Sequence, residues 1–418
     1  MTDSPAPSDR RVSRRMLLTG IAAGLGGAAV GVAGATAVAA AGGSEPTPQP
    51  TAPDPLGAGA VGSAVEPFHG PHQAGVATPA QAHAVFLALD LRPGTDKDGL
   101  RRLMRLLSDD AERLTQGHGA LGDNEPELAL DPARLTITFG LGPAVFDLAG
   151  LQDQRPPGFA PLPSFGIDRL QPRWSGGDVL VQVGSDDPTT LAHAVRMLGK
   201  DARAFTVPRW RQHGFLRAAG ATAAGTTPRN LMGQVDGTVN PRPGTEEFDQ
   251  LVWAHSGPEW FLGGSTVVVR RIRMDLETWD AFDRSGREQA IGRRLDNGAP
   301  LTGTKEADVA DLDAVDERGL SVILPSAHIR RARGEASGPP FLRRGYNYDE
   351  GTDAEGASDA GLIFASYQAD IERQFLPVQR RLAELDLLNT WTTPIGSAVF
   401  ALPPGASPGG YVGDGLLG

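Results

Sequence analysis

Apolar residues in the first half of the chain fall into short runs separated by two amphipathic stretches. The runs are rich in Val, Ile, Leu and Phe and are too short for buried helices, so they are predicted to be strands. These runs are 84–89, 135–139, 179–183 and, as a fourth and shorter one, 215–217. In the stretch 96–114 the leucines recur at helical spacing, and 189–198 is predicted as a second helix.

The second half of the chain repeats this order with different lengths. Strands are predicted at 265–273, 362–367 and 398–401, and helices at 276–282 and 371–385. Between them lies 298–359, a long, polar and Gly-rich segment for which no regular structure is predicted. A segment of that length inside a compact domain is usually functional or disordered.

The order of elements, β-α-β-β-α-β, predicts the fold class. It is the split βαβ arrangement, so we expect an α+β protein made of two ferredoxin-like domains with antiparallel sheets. The domains are predicted to span 76–230 and 231–418. No close sequence repeat relates the two halves, so their relationship would be one of fold only.

The N-terminus is predicted to be an export signal that covers 1–41. Ser13–Leu18 contains two adjacent arginines and looks like a twin-arginine motif, and a Gly/Ala/Val-rich run follows to Ala41. The alternative is a single membrane anchor, since the run is long enough to span a bilayer. Export by the twin-arginine translocon predicts a periplasmic, cell-envelope or extracellular location and favours a protein that carries a cofactor. Residues 42–75 are predicted to be a Pro/Gly/Ala-rich linker, with ordered structure from about Gln81.

Charge and cysteine content exclude several classes of function. The net charge of −11 argues against a nucleic-acid-binding protein, which would need a basic face. The chain has no cysteine, which excludes disulfides, thiolate catalysis, iron–sulfur clusters and thiolate-ligated haem.

Asp236 is the first candidate for chemistry. It lies within Gly233–Pro241, where the glycines allow the backbone to approach a flat ligand. A carboxylate in such a place can move a proton as an acid–base group. The alternative is an ordinary turn, in which Asp binds its own downstream backbone. We expect Gly237 and Thr238 to contact the same ligand.

A histidine and two arginines supply complementary groups. Without cysteine, a haem iron would most readily take a neutral imidazole, and His328 lies next to Arg330 in a basic segment that suits haem propionates. Arg343, in a Leu-Arg-Arg-Gly-Tyr segment, would stabilise negative charge on a bound peroxide. The alternatives are a solvated basic loop and a surface arginine pair.

Asp370 opens the last predicted helix and has two interpretations. It is either a helix cap or first-turn acid, or the acceptor for the second nitrogen of the ligand imidazole.

Six segments, taken together, resemble the dye-decolorising peroxidase family, in particular its twin-arginine-exported, deferrochelatase-like bacterial branch. They occur in the expected order and cover nearly the whole chain after the signal: 67–75, 78–83, 233–241, 328–330, 342–346 and 367–375. The chain departs from the family after His328, because Arg333 and Gly334 stand where members often have Asn-Pro.

The resemblance implies a haem b peroxidase that forms a homodimer and holds its haem in the C-terminal half. It makes His328 the axial ligand, Asp236 the acid–base group and Arg343 the cation on the opposite side, with Asp370 as the expected partner of His328. The reaction would reduce hydrogen peroxide and oxidise dyes or phenolic and other aromatic compounds in one-electron steps. Bulky dyes would not reach a buried haem, so surface Trp or Tyr residues would relay electrons. The candidates are chosen by residue type only, and most are expected to be core or rim residues: Trp253, Trp260, Trp279, Tyr346, Tyr348 and Trp391.

Two other functions fit the same sequence. An iron-acquisition protein of this family would take haem or ferrous iron as its substrate. A non-catalytic haem carrier would bind haem without turnover.

Overall fold

The structure is a computed structural model of the chain and describes residues 61–333, 339–354 and 356–418. The predicted signal peptide and the first part of the predicted linker lie outside the described residues. Within the part that is described, every helix is too short or too polar to cross a membrane.

The N-terminal half follows the predicted order of elements. Its strands and helices are β1 (His83–Leu91), α1 (Lys97–Thr115), β2 (Thr136–Leu141), α2 (Pro143–Leu148), β3 (Val179–Ser185), α3 (Pro188–Asp201) and β4 (Thr206–Phe215). Short 3-10 helices lie at Val61–Ser63, Pro126–Ala129, Gln152–Gln154, Pro172–Trp174 and Ala202–Ala204.

The C-terminal half carries four further strands. Its elements are α4 (Glu246–Val252), β5 (Ser265–Met274), α5 (Leu276–Ala281), α6 (Arg284–Ile291), α7 (His328–Ala332), β6 (Leu342–Thr352), β7 (Ser358–Gln368), α8 (Leu376–Leu385), β8 (Thr392–Leu402) and α9 (Asp414–Leu417). A π-helical turn, Ile371–Phe375, leads into α8, and 3-10 helices lie at Glu259–Phe261 and Leu387–Thr390.

Helix α1 shows how the local sequence sets an element. The side chain of Asp96 accepts a hydrogen bond from the Gly99 amide and caps the helix start. Leu100, Leu103 and Leu107 recur on one face and are fully buried. The prediction of a helix over 96–114 is therefore confirmed.

The eight strands close into one barrel, in the order β1-β3-β2-β8-β5-β7-β6-β4. Each half contributes its strands in the order fourth, first, third, second, which is the ferredoxin-like order, and the pairings are antiparallel. The predicted fold class is confirmed. The sequence did not predict that the two sheets join, which they do through Leu141 paired with Ala401 and Phe215 paired with Asn347.

Alternating side chains place the core on both faces of the sheet. In β1, Val85 and Leu87 pack with helices α1 and α3, whereas Phe86 packs with Tyr346 and Phe400 on the other face. On the helix-covered face of the C-terminal half, Trp279, Leu362 and Trp391 form a separate cluster against which Ile329 of α7 packs. This third cluster positions the segment that contains His328.

Two predicted elements need correction. The expectation that 298–359 has no regular structure is wrong in its C-terminal part, where His328–Ala332 forms α7 and Leu342–Thr352 forms β6. Its alternate residues Leu342, Tyr346 and Tyr348 are buried, but the other face is polar, so no apolar run marks the strand. The fourth strand, β4, spans Thr206–Phe215 and overlaps the predicted 215–217 only at Phe215. Its outer face is exposed and polar, so no apolar run marks the strand.

The predicted linker also ends earlier than expected. Phe68 and Gln73 are both only 6% exposed, and the side chain of Gln73 binds the backbone of Phe139 and Pro403. Residues 67–75 therefore belong to the packed structure. The sequence did not predict this packing, because the segment is rich in glycine, proline and polar residues.

Candidate active site

His328 is the first residue of α7, and the end of α8 holds its imidazole. Nδ1 of His328 lies 2.6 Å from Oδ2 of Asp386, a carboxylate that is only 3% exposed. The other carboxylate oxygen, Oδ1, accepts the Leu388 amide at 3.0 Å. The Leu387 amide donates to the Ser326 carbonyl at 2.9 Å and ties the two segments together. The imidazole is therefore oriented by a buried acid that is itself fixed.

The charge of Asp386 controls the protonation of His328. Burial acts to lower the pKa of the imidazole, but the charge of Asp386 and its hydrogen bond outweigh burial, so this pKa lies above its usual value. Arg343 lowers this pKa and Asp236 raises it, so both groups lie within electrostatic range of His328. In the neutral imidazole, Nδ1 donates to Asp386 and Nε2 carries the lone pair, and Nε2 has no hydrogen-bond partner among the described residues.

Asp236 follows a tight turn that brings it back along the chain. Gly233 has a φ of +80° and its amide donates to the Asn230 carbonyl at 2.9 Å, while the Asp236 amide donates to the Pro228 carbonyl at 2.9 Å. Gly237, directly after Asp236, has a φ of +127°. The sequence pattern of glycines on either side of a carboxylate thus produces a turn that exposes the carboxylate at its end.

Arg343 on β6 meets Asp236 across the site. Its Nη1 donates to Oδ1 of Asp236 at 3.1 Å, and both side chains are 26% exposed. The second carboxylate oxygen of Asp236 has only a long contact, 3.4 Å, with Nδ2 of Asn230. The structure therefore brings Asp236, Arg343 and His328 into one region, as the sequence predicted.

Thr238 binds protein rather than facing open space. Its hydroxyl donates to Oε1 of Glu306 at 2.9 Å, and the hydroxyl of Thr227 donates to the same oxygen at 2.6 Å. Glu306 lies in the long segment after α6, so these bonds fasten the Asp236 turn to that segment. The sequence did not single out Glu306.

Arg330 likewise holds the backbone of the long segment. Its guanidinium donates to the carbonyl of Leu312 and, at 3.1 Å, to that of Ile323. A second cation, Arg293, is buried and donates to the Gly298 carbonyl at 2.6 Å. Burial lowers the pKa of Arg293, and the charge of Arg333 lowers it further. Arg333 and Arg343 are thus within electrostatic range of Arg293, and the charge of Glu306 acts against theirs on this pKa.

Asp370 does not contact His328, and this prediction is wrong. Oδ1 of Asp370 accepts the Arg373 amide at 3.0 Å and caps the π-helical turn, which was the alternative interpretation. Asp386, which the sequence did not single out, makes the contact with His328 that was expected of Asp370. In the sequence Asp386 is an acid just after a helix, and no spacing relates it to His328. Asp370 instead lines a separate cavity of about 400 Å³, together with Leu251, Phe261 and Gln374.

The aromatic residues considered as electron relays are all buried. They are Trp253, Trp260, Trp279, Tyr346, Tyr348 and Trp391. The expectation that most of them are core or rim residues is confirmed, and none of these six is a surface residue of the kind expected for an electron relay.

These residues fit a haem. The free Nε2 of His328 is a suitable axial ligand, and an anionic partner on Nδ1 is the usual support for a metal-bound imidazole. Arg343 and Asp236 supply a fixed cation and a proton acceptor. Ser366, paired with Arg343 across β6 and β7, has a buried hydroxyl without a hydrogen-bond partner in the described structure.

Two family models match the chain and together cover most of it. The model described as Dyp-type peroxidase, N-terminal, matches residues 73–216, and the model described as Dyp-type peroxidase, C-terminal, matches residues 227–407.

Curated relatives and solved structures agree with these matches. The dye-decolorizing peroxidase of Thermobifida fusca (strain YX) is 42% identical over 359 residues, 82% of this chain and 83% of that protein. The deferrochelatase of Escherichia coli (strain UTI89 / UPEC) is 36% identical over 425 residues, 97% of each chain. The crystal structure of the DyP-type peroxidase from Cellulomonas bogoriensis superposes with a TM-score of 0.83 at 53% identity, covering 85% of this chain and 99% of that chain.

Proposed function

This chain belongs to the Dyp-type peroxidase family and is a haem-dependent peroxidase, and on that premise we propose the residues that carry the reaction. His328 binds the iron of haem b in the C-terminal half, and Asp236 and Arg343 act on hydrogen peroxide. Gly237, Thr238 and Arg330 shape the protein segments that surround the cofactor. The oxidised substrates are dyes and phenolic or other aromatic compounds.

The observation that carries this proposal is the pairing of His328 with Asp386. A buried carboxylate at Nδ1 fixes the tautomer, directs Nε2 outward as a ligand and makes the imidazole a stronger electron donor. When bound, haem supplies the redox chemistry: it accepts the two oxidising equivalents of peroxide and passes them to aromatic molecules one electron at a time.

The chain's own residues move the proton and hold the charge. Asp236 takes a proton from hydrogen peroxide and returns it to the oxygen that leaves as water. Its Oδ2, with only the long contact to Asn230, is the oxygen available for this transfer. Arg343 stays protonated throughout, so it stabilises negative charge on the departing oxygen without competing for the proton.

Absorption spectra of purified variants test these roles. The wild-type protein, reconstituted with haem if necessary, is expected to show a Soret band that shifts on adding peroxide. Asp236→Ala and Arg343→Leu are expected to keep haem but lose about 100-fold or more in peroxide-dependent dye oxidation. His328→Ala is expected to lose the axial ligand and change the spectrum.

Three results would contradict the proposal. Full dye oxidation by the haem-loaded Asp236 and Arg343 variants would show that these two residues do not carry the reaction. An unchanged haem spectrum in His328→Ala would overturn the ligand assignment. Absence of haem absorption even after reconstitution would remove the basis for both.

The second candidate is iron acquisition from haem or ferrous iron, favoured by the deferrochelatase that matches over 97% of each chain. Incubation of the purified protein with excess haem distinguishes the two. Iron-free porphyrin would accumulate in the iron-acquisition function, and it would remain absent in a peroxidase that only oxidises aromatic compounds.

Export and assembly are proposed on separate grounds. The paired Arg14 and Arg15 before an apolar run support twin-arginine export to the periplasm, cell envelope or outside. Replacing both with Lys should keep the protein in the cytoplasm. The homodimer rests on the family alone, and light scattering on the purified protein tests it.

A further inference from the structure

Strand β6 is paired along one edge and nearly open along the other. It pairs with β7 from Leu342 to Thr352, whereas its pairing with β4 is confined to Asn347 opposite Phe215. The open part of the edge includes Arg343. Backbone amides and carbonyls on such an edge need other partners.

The side chain of Asn240 supplies these partners at Arg343. Its Nδ2 donates to the Arg343 carbonyl at 2.6 Å, and its Oδ1 accepts the Arg343 amide at 3.0 Å. A primary amide carries a donor and an acceptor side by side, as a peptide group does. Asn240 therefore takes the place that a neighbouring strand would take, for one residue only.

A second short turn begins at Asp236 and ends at Asn240. The Asn240 amide donates to the Gly237 carbonyl at 3.0 Å, which closes the turn between them. Arg343 is thus held twice by the turn 236–240: at its backbone by Asn240 and at its guanidinium by Asp236. The two bonds from Asn240 fix the position of the Arg343 backbone. They therefore fix the point from which its flexible side chain reaches Asp236.

We propose that Asn240 is a positioning residue that sets the separation of Arg343 and Asp236 for peroxide cleavage. The inference rests on the proposed function, because it assigns Asn240 a role through those two residues. Small misplacements of catalytic groups reduce rates strongly, by up to about 100-fold for a shift of about 1 Å. Removing the amide takes away the partner of the Arg343 amide and carbonyl on the edge that β4 pairs only at Asn347.

A purely structural role is the competing explanation, and the chain offers an example of one. Gln73 binds the amide and carbonyl of Phe139 in the same manner at the other junction of the two half-sheets, away from Asp236 and Arg343. The test must therefore measure coupling to Arg343 and not only stability.

The experiment compares Asn240→Ala, Asn240→Gln, Arg343→Leu and the double variant Asn240→Ala/Arg343→Leu as haem-loaded proteins. Asn297→Ala is the matched control, because Asn297 also accepts a backbone amide and donates to a backbone carbonyl, those of Ala299 and Thr304, without touching Arg343. Stopped-flow absorbance gives the second-order rate constant with peroxide from pH 4 to 9, per haem bound. Thermal unfolding records stability separately.

Asn240→Ala is expected to lower the peroxide rate constant by about 10- to 100-fold while the KM for a reporter dye stays within about twofold. Asn240→Gln, whose amide is displaced by one methylene, is expected to fall between wild type and Asn240→Ala. Asn297→Ala is expected to match wild type. In the double variant, loss of Asn240 is expected to add nothing to the loss of Arg343, because it acts through that residue.

The two layers of the proposal fail in different ways. If Arg343→Leu lowers the rate but Asn240→Ala and Asn240→Gln stay within twofold of wild type, only the positioning role is wrong. Additive losses in the double variant would also overturn that role. If Arg343→Leu itself reacts at the wild-type rate, the proposed function is wrong.

Discussion

Asp386 Oδ2 and His328 Nδ1 are 2.6 Å apart, although 58 residues separate them in the chain. Asp386 ends α8 and His328 begins α7, so the contact exists only because the two helix ends meet. The carboxylate is nearly fully buried and the imidazole is partly exposed. This arrangement suits an imidazole that is oriented at Nδ1 and accessible at Nε2.

Asp386→Asn is expected to keep the hydrogen bond but remove its charge. The imidazole then becomes a weaker electron donor, so the reduction potential of the bound haem should rise and peroxide-dependent turnover should fall by about 10- to 100-fold. Spectroelectrochemical titration of the haem-loaded variant measures the potential. Asp370→Asn is the control, since Asp370 caps a helical turn and does not contact His328. An altered potential in Asp370→Asn together with an unchanged one in Asp386→Asn would reverse the assignment.

Gln73→Ala is expected to destabilise the protein, although Gln73 lies in the segment that the sequence predicted to be a linker. The variant leaves the buried amide and carbonyl of Phe139 without their side-chain partner, at a cost of about 1–3 kcal/mol for each group that stays unsatisfied. Urea denaturation measures the free energy of unfolding. Gln152→Ala, on an exposed 3-10 helix, is the control and should change it by less than about 0.5 kcal/mol. Equal stability of the two variants would show that residues 67–75 contribute little.

Asp110 gives the protein a dependence of stability on pH. Burial raises the pKa of Asp110 to about 7; the Leu121 amide acts against this, while the hydrogen bond and charge of Asp201 act with it. The folded protein therefore holds this proton more tightly than the unfolded chain does. The group stabilises the fold fully below about pH 4 and loses that contribution as the pH rises towards about 7.

Asp110→Asn cannot ionise, so the free energy of unfolding of this variant minus that of wild type is expected to increase from pH 5 to pH 8. The expected change is on the order of 2 kcal/mol, measured by chemical denaturation at both pH values. Asp109→Asn, at the exposed neighbouring position, is the control and should show a much smaller trend. The same difference at pH 5 and pH 8 for Asp110→Asn would contradict the raised pKa.

Trp279 links the core to the turn that precedes Asp236. It is 1% exposed, its Nε1 donates to the Met232 carbonyl at 3.1 Å, and its ring meets Trp391 edge to face with centroids 5.1 Å apart. Trp279→Ala is expected to cost about 3–5 kcal/mol of unfolding free energy, and Trp279→Phe less, because the phenyl ring fills part of the space. Denaturant titration measures both. The exposed Val309→Ala should stay within about 0.5 kcal/mol of wild type, and a similar value for Trp279→Ala would exclude this core role.

Several regular elements follow from local patterns, whereas strand β6 does not. Strand β1 and helix α1 carry apolar residues at periods of two and 3.6, so the local sequence is enough to predict a strand and a helix. Strand β6 was not predicted because only alternate residues such as Tyr346 and Tyr348 face the core, while Arg343 on the other face pairs with Asp236. A strand whose outer face serves function lacks the apolar pattern that marks a strand.

The sequence alone determined the fold class, the family and the identity of His328, Asp236 and Arg343 as candidates. Each of these depends on residue type and on neighbours that are close in the chain. Only the tertiary structure decided which acid supports His328, how Asn240 holds Arg343, and that the two half-sheets close into one barrel. Those contacts join residues that are distant in the chain, and their geometry depends on how helix ends and strand edges pack, which local composition does not record.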